Sequence, residues 1–193
     1  MPGKRNVIYY TDNSLPDSLA KPLQRQLRRA CGGIPIISVS QKPVDFGDIK
    51  LVIGDIGRSY ASICKQLLMG LEQAESIVYL AEHDVIYHPS HFDFVPPANN
   101  CFFYNENLWK LRSPDGQAVY YDTTGLSMLI SHKDILISQY EERLALRLKH
   151  KLPKGCGHEP GFHIAPRGVG VHRAVKFRAE WPCVEIRHGN NFT

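Results

Sequence analysis

Apolar and polar positions along this chain follow two periods in turn. Val7-Ile8-Tyr9-Tyr10 is a β-branched and aromatic run that predicts a buried strand. Thr11-Asp12-Asn13 follows, and then Leu15, Leu19, Leu23 and Leu27 recur every four residues, the stripe of an amphipathic helix. Ser14 and Asp17 have capping-box spacing, which starts that helix near Ser14, and Gly32-Gly33 ends it. Ile34–Val39 predicts a second strand, and Leu51–Ile53 a third after the loop 43–47. A second amphipathic helix is expected over about 58–74, with Ile63, Leu67 and Leu71 inward, leading into the strand Ile77–Leu80. Strands and helices alternating at these lengths predict an α/β, Rossmann-like, mostly parallel central sheet flanked by helices.

The second half of the chain reads differently. Cys101–Tyr104 predicts a strand, and Leu108–Arg112 and Ala118–Tyr121 flank the turn Ser113-Pro114-Asp115-Gly116, which predicts a β-hairpin. Residues 131–148 predict a helix, with Ser131 and Asp134 as a second capping box. A loop rich in Gly, His and Pro covers 151–173, and short strands at Ala174–Arg178 and Val184–Arg187 close the chain. At 193 residues the whole fits one domain, 1–193. Its nucleotide-binding half is expected at 1–100 and its acceptor half at 101–193.

The five cysteines are scattered and odd in number, which argues for reduced thiols in an intracellular, cytoplasmic protein. No apolar run is long enough to predict a membrane span, and the N-terminus does not resemble a signal peptide. The net charge of +4 is unevenly placed. Residues 1–150 balance at 16 basic and 16 acidic, whereas 151–193 carry seven basic against three acidic. That segment reads either as a solvated basic face or as a surface for a polyanion or a nucleotide phosphate.

The candidate chemistry concentrates where the strand Ile77–Leu80 ends, at Glu82-His83-Asp84. Carboxyl ends of strands are where ligands bind in α/β sheets, and carboxylates suit a hard divalent cation. The other reading is a polar exit from the strand, with Asp84 capping the turn. His83, His88 and His91 invite a zinc site, but their spacing is neither HExxH nor that of a finger, and Pro89 interrupts any helix that would align them. The helix start at Gly57-Arg58-Ser59 is suited to a phosphate, though no GxxxxGK[ST] and no GxGxxG is present. No GxSxG occurs either. Glu159, in a Gly-rich loop, is the best isolated acid for general-base work.

Taken together, these features resemble the GT-A glycosyltransferases, in particular their family-two-like branch. In that fold a strand and acidic loop come first, then a helix with an Arg-Asn pair, then a strand ending in an Asp-x-Asp metal motif. Val7–Tyr10 with Thr11-Asp12-Asn13 takes the first position, Lys65-Gln66 the second and Glu82-His83-Asp84 the third. Val184–Arg187 with His188 resembles the late strand whose histidine completes the metal site. Glu159 falls where inverting members place x-Glu-Asp, with Pro160 in place of the second acid.

The resemblance implies a metal-dependent transfer of sugar from a nucleotide-diphosphate sugar to an acceptor hydroxyl. Asp84, Glu82 and His188 would hold Mn2+ or Mg2+. Thr11, Asp12 and Asn13 would read base and ribose, with Arg58, Lys65 and Gln66 near the nucleotide, and Glu159 and Asp84 would be the catalytic acids. Trp109 and Tyr121 are candidate apolar faces for a sugar or base, or core residues. The acceptor expected from the basic tail is 5-hydroxymethylpyrimidine in DNA, of the kind that virus-encoded enzymes modify. A non-catalytic nucleic-acid-binding protein and a nucleotidyltransferase are the alternatives. The second is disfavoured because Thr-Asp-Asn-Ser replaces the Gly-rich basic loop expected after its first strand.

Overall fold

The computed structural model describes residues 3–120, 122–149, 159–161 and 173–188. Its central element is strand β1 (Arg5–Thr11), whose side chains alternate between two cores. Val7 and Tyr9 face one side, and Ile8 and Tyr10 the other, because successive strand residues point to opposite faces. Helix α1 (Asp17–Ala30) covers the first face through Leu27 and Ala30. Strands β2 (Ile36–Ser40) and β3 (Ile49–Val52) then extend the sheet in parallel on one side of β1. Helix α2 (Tyr60–Gln73) covers the second face with Tyr60, Cys64, Leu67 and Leu71, and β4 (Ile77–Glu82) pairs in parallel on the other side of β1.

Beyond β4 the chain forms β5 (Val85–Ile86), the short helix α3 (Pro89–Asp93), β6 (Cys101–Asn105), β7 (Leu108–Arg112) and β8 (Ala118–Tyr120). A 3-10 turn over Leu126–Met128 leads into β9 (Leu129–His132) and α4 (Lys133–Leu148), and β10 (Arg173–Phe177) and β11 (Cys183–Arg187) follow. The main sheet has seven strands in the order β10-β6-β9-β4-β1-β2-β3, with β9 antiparallel to both neighbours. A second sheet orders β5-β11-β7-β8. This is the expected Rossmann-like, GT-A-type α/β architecture. The expected hairpin, β7 with β8, is present but belongs to the larger second sheet, because β11 adds in parallel to β7 and antiparallel to β5.

Two expected helix starts are corrected. Helix α1 begins at Asp17 with Pro16 at its cap and no side-chain cap; the fixed φ of Pro16 starts the helix instead of Ser14. Helix α4 begins at Lys133, because Ser131 is drawn into β9 opposite Val78 and its hydroxyl donates to the Cys101 carbonyl at 2.7 Å. Strand β9 itself carries no legible signal, being a short buried run that passes directly into a helix.

Chain order runs outward from β1 through β2 to β3, then jumps back across β1 to β4. A crevice at the carboxyl ends of strands is expected at such a reversal. It opens between β1 and β4, where Tyr10 lies in register with Glu82.

Helix α2 approaches the sheet closely at Gly70. A Cβ there would lie 2.8 Å from Ile8 Cγ2 and 3.1 Å from Val39 Cγ2, both in the core. Gly70→Ala is therefore expected to destabilise the fold by about 1–3 kcal/mol through overpacking, with Gly70→Val costing more. Urea-unfolding midpoints measure this.

Candidate functional site

The cleft at the reversal point encloses about 340 Å³. Its floor is the ends of β1 and β4, and its wall is the segment 57–66 that opens α2. Local chemistry fixes each part. Ser59 caps α2 by accepting from the Ser62 amide at 3.0 Å, and the Ser62 hydroxyl donates to the Ile56 carbonyl at 3.1 Å. Gln41 closes the loop from the β2 side, its amide donating to the Gly57 carbonyl at 2.8 Å. Gln66, 2% exposed, donates at 2.8 Å to the Thr11 carbonyl and at 3.2 Å to the Val39 carbonyl, which satisfies two buried acceptors at the strand ends.

Asp12 is held at the rim. It accepts from the Ser14 amide at 2.9 Å and pairs with Arg58 Nε at 2.6 Å. Burial opposes its charge, but the Ser14 hydrogen bonds, then His83 and Arg58, bring its pKa below the ordinary value. Asn13 adopts a left-handed φ of 61°, a conformation Asn tolerates better than most residues. Its side-chain oxygen accepts from the amides of Gln41 at 2.9 Å and Lys42 at 2.8 Å, clamping the loops after β1 and β2 together. Lys65 is exposed on α2 and does not line the cleft.

At the β4 end, His83, Asp84 and His188 each place a ligand atom within 4.8 Å of the others. His188 Nε2 lies 3.8 Å from Asp84 Oδ2. The second sheet makes this possible: β11 pairs with β5, and the Ile186 amide donates to the Asp84 carbonyl at 2.8 Å, bringing the chain's late strand against the strand-four turn. His83 Nδ1 sits 2.7 Å from the Thr11 hydroxyl and 3.7 Å from Asp12 Oδ1. Such contacts orient the rings of metal-bound histidines. Burial lowers the His83 pKa, favouring the neutral ring that a cation requires. One carboxylate and two imidazoles fit Mn2+ and also suit zinc, so the donor set does not choose between them.

Glu82 lies outside that trio, and its carboxylate accepts from the Tyr10 hydroxyl. Burial, then the charge of Asp84, push its pKa up to about 8, with further contributions from Glu185 and Glu159. Glu159 thus lies within electrostatic reach of Glu82, and its backbone carbonyl accepts from Arg143 at 3.4 Å. Glu185 pairs with Arg187 at 3.1 Å and Lys110 at 3.8 Å, and burial raises its pKa.

The structure therefore brings Thr11, Asp12, Arg58, Gln66, Glu82 and Asp84 into one cleft, with His188 beside Asp84. Asn13 and Lys65 lie outside its lining. His83 is a third member of the ligand group, although the sequence reading does not count it among the metal ligands, and Glu185, Lys110 and Arg187 are residues that reading does not single out. The ligand atoms of His83, His88 and His91 form no cluster among the described residues. His88 caps α3, and His91 is fully buried, 3.2 Å from Asn105. Trp109 packs near Tyr120 at 5.9 Å between ring centroids, and Tyr121 lies outside the described residues. So does most of the basic segment 151–193.

No helix among the described residues is long and apolar enough to cross a membrane. No protein-family model matches the sequence, and no curated protein matches it. Solved structures that share the fold include two transferases. One is a glycosyltransferase involved in glycosylation of the major capsid of PBCV-1, at a TM-score of 0.57 and 12% identity, covering 94% of this chain and 91% of that one. The other is the inositol-1-phosphate CTP transferase from T. maritima, at 0.56 and 10%, covering 100% and 94%. Fold is thus shared with transferases of two kinds.

Two outcomes test the site's physics. Gln66→Leu roughly keeps the volume but removes both donations of a buried amide, leaving the Thr11 carbonyl to the Gln41 amide at 3.3 Å, with an expected cost of about 1–3 kcal/mol in urea unfolding. Glu82 keeps its proton to about pH 8 when folded, against an ordinary 4.5. Between those values the unfolded chain binds fewer protons, so stability falls as pH rises through the window and levels off above it. Glu82→Gln is expected to flatten that fall, measured by unfolding in metal-free buffer.

Proposed function

We propose that the protein is a metal-dependent glycosyltransferase that moves a sugar from a nucleotide-diphosphate sugar to an acceptor hydroxyl. The observation that carries this reading is the convergence of Asp84 with His188, residues far apart in the chain, at the carboxyl end of β4 beside a cleft walled by a helix N-terminus. Asp84 and His188 would hold Mn2+ or Mg2+, joined by His83, with Glu82 acting through water. A bound divalent ion supplies neutralisation of the charge that develops on a departing diphosphate.

The chain's own groups divide the remaining work. The opening turn of α2, with Arg58 and the Ser59 cap, presents a dipole end and donors to phosphate. Thr11 and Asp12, with Asn13 holding their loop, read the nucleoside, and Gln66 fixes the strand ends on which they sit. Lys65 adds positive charge on the same helix. Glu159 takes the proton from the acceptor hydroxyl as it attacks the anomeric carbon. Residues 1–100 would bind the donor, and 101–193 would complete the metal site and receive the acceptor. The acceptor is proposed to be 5-hydroxymethylpyrimidine in DNA, in keeping with the basic segment 151–193.

Asp84→Ala is expected to abolish divalent-dependent release of nucleoside diphosphate from nucleotide sugars, followed by coupled phosphate detection, while leaving the circular-dichroism spectrum unchanged. Full activity in the variant, or in excess chelator, would sink the metal role. Release of pyrophosphate from a nucleoside triphosphate would instead mark a nucleotidyltransferase, the activity class of the second fold relative. Hydroxymethylcytosine-containing DNA incubated with a panel of nucleotide sugars should gain the mass of one hexose or related sugar per modified base. No gain with any donor removes DNA as acceptor.

A further inference from the structure

Arg143 lies on α4, the helix that packs against α2, and is 2% exposed. A buried guanidinium is costly, and apolar side chains of similar volume commonly pack as well or better. What they lack is its planar fork of donors, which holds two acceptors at once in a fixed relation. Nη1 donates to the Tyr60 hydroxyl at 2.9 Å, and Nη2 to the Glu159 carbonyl at 3.4 Å. Tyr60 lines the cleft at the start of α2. One buried cation therefore joins the wall of the cleft to the turn that carries Glu159.

The turn 159–161 has two further anchors. The fully buried Tyr104 of β6 donates its hydroxyl to the Pro160 carbonyl at 2.8 Å. Gly161 has a left-handed φ of 86°, and a Cβ there would lie 2.9 Å from the Ala174 amide nitrogen and 3.1 Å from Phe102 Cδ2. The turn thus sits against β6 and β10 at a distance that glycine allows and a side chain does not. Pro160, which replaces the second acid of x-Glu-Asp, fixes its own φ between the two anchored carbonyls. Glu159 is held through its backbone, and its carboxylate charge bears on both Glu82 and Tyr104. A general base must stand within hydrogen-bond reach of the proton it takes, and a misplacement of about 1 Å can cost roughly 100-fold in rate.

We propose that Arg143 is a positioning residue, acting through the Glu159 backbone to seat that carboxylate and to lock its turn to the Tyr60 wall of the cleft. This rests on the reading of Glu159 as the base of a glycosyl transfer. In that transfer Glu159 takes the proton of the acceptor hydroxyl and the acceptor oxygen bonds to the anomeric carbon. The bond from that carbon to the diphosphate breaks, and its electron pair leaves on the phosphate oxygen. Arg143 lies outside the cleft lining, so it serves this step only through the groups it holds. Tyr104 and Gly161 complete the same seat.

The test combines Arg143→Lys, Tyr104→Phe and Glu159→Gln, singly and in pairs, in the full chain. Turnover is followed as release of nucleoside diphosphate from uridine and guanosine diphosphate hexoses in Mn2+. Lysine keeps the charge but not the fork, and Tyr104→Phe loosens the same turn if Arg143→Lys does not fold. Each of these two should lower kcat about 10- to 100-fold and leave the donor KM within about threefold. Glu159→Gln should lower kcat by at least about 100-fold. In the Glu159→Gln background neither of the other changes should lower kcat further, because the group they place is gone. Losses that multiply mark a merely structural role and overturn the inference. Full kcat in Glu159→Gln overturns the base assignment and the inference together. Hydrogen–deuterium exchange needs no turnover. Peptides containing Glu159 and Gly161 should exchange several-fold faster in Arg143→Lys and in Tyr104→Phe, with α1 and β1 unchanged. Equal acceleration throughout the chain, or none at the turn, overturns the inference. A parent that releases no diphosphate from any donor sinks the glycosyltransferase reading instead, and exchange alone then decides whether Arg143 seats the turn.

Discussion

Everything in this structure is arranged around the parallel pairing of β1 with β4, which sets Tyr10 opposite Glu82. Both strands are buried on both faces, so their backbone polar groups are satisfied only by pairing with strands on either side. The pairing also brings together two strand ends, Thr11 and Glu82, from places far apart in the sequence. Because the chain winds outward on one side of β1 and returns on the other, no crossover helix covers the point where the two ends meet. The cleft is the consequence of that winding.

Such a site is built from polar groups in a dry setting, and the structure handles the cost in two ways. Some groups are consumed by scaffolding: Gln66 caps strand carbonyls and Asn13 ties two loops. Others remain perturbed. Glu82 is kept protonated well above its usual range by burial and by Asp84, with Tyr10 as its hydrogen-bond donor. Buried acids held so far from their usual range cluster at functional sites, although structural networks of charges also produce them.

The second sheet is what makes the acid cluster more than a strand terminus. Strand β11 inserts between β5 and β7, and its pairing with β5 carries Glu185 and His188 to the Asp84 turn. Two sheets of different topology therefore meet at one carboxylate. The fold relatives perform different transfers on similar architecture, in keeping with the principle that fold supplies the frame and the local side chains supply the chemistry.

The sequence by itself determined the strands that are long apolar runs, the helices with four-residue leucine or aliphatic stripes, and the place of Glu82-His83-Asp84 at a strand end. These are local facts, since the periods of strands and helices are set by the backbone within a few residues. Tertiary structure decided what no local period encodes. Strand β9 is short, buried over Leu129–Ser131 and antiparallel, and it exists because β4 and β6 need a partner between them. The start of α4 moved for the same reason, when Ser131 was taken into the sheet. The role of Gln66 as a clamp and the exposure of Lys65 followed from which face of α2 met β1, a choice made by Cys64, Leu67 and Leu71 packing on the core. The grouping of His83 with Asp84 and His188 depended on the β5–β11 pairing, a contact between segments about a hundred residues apart. Residue types announced that metal or phosphate chemistry was available; only the crossing of two sheets decided which of those residues stand together.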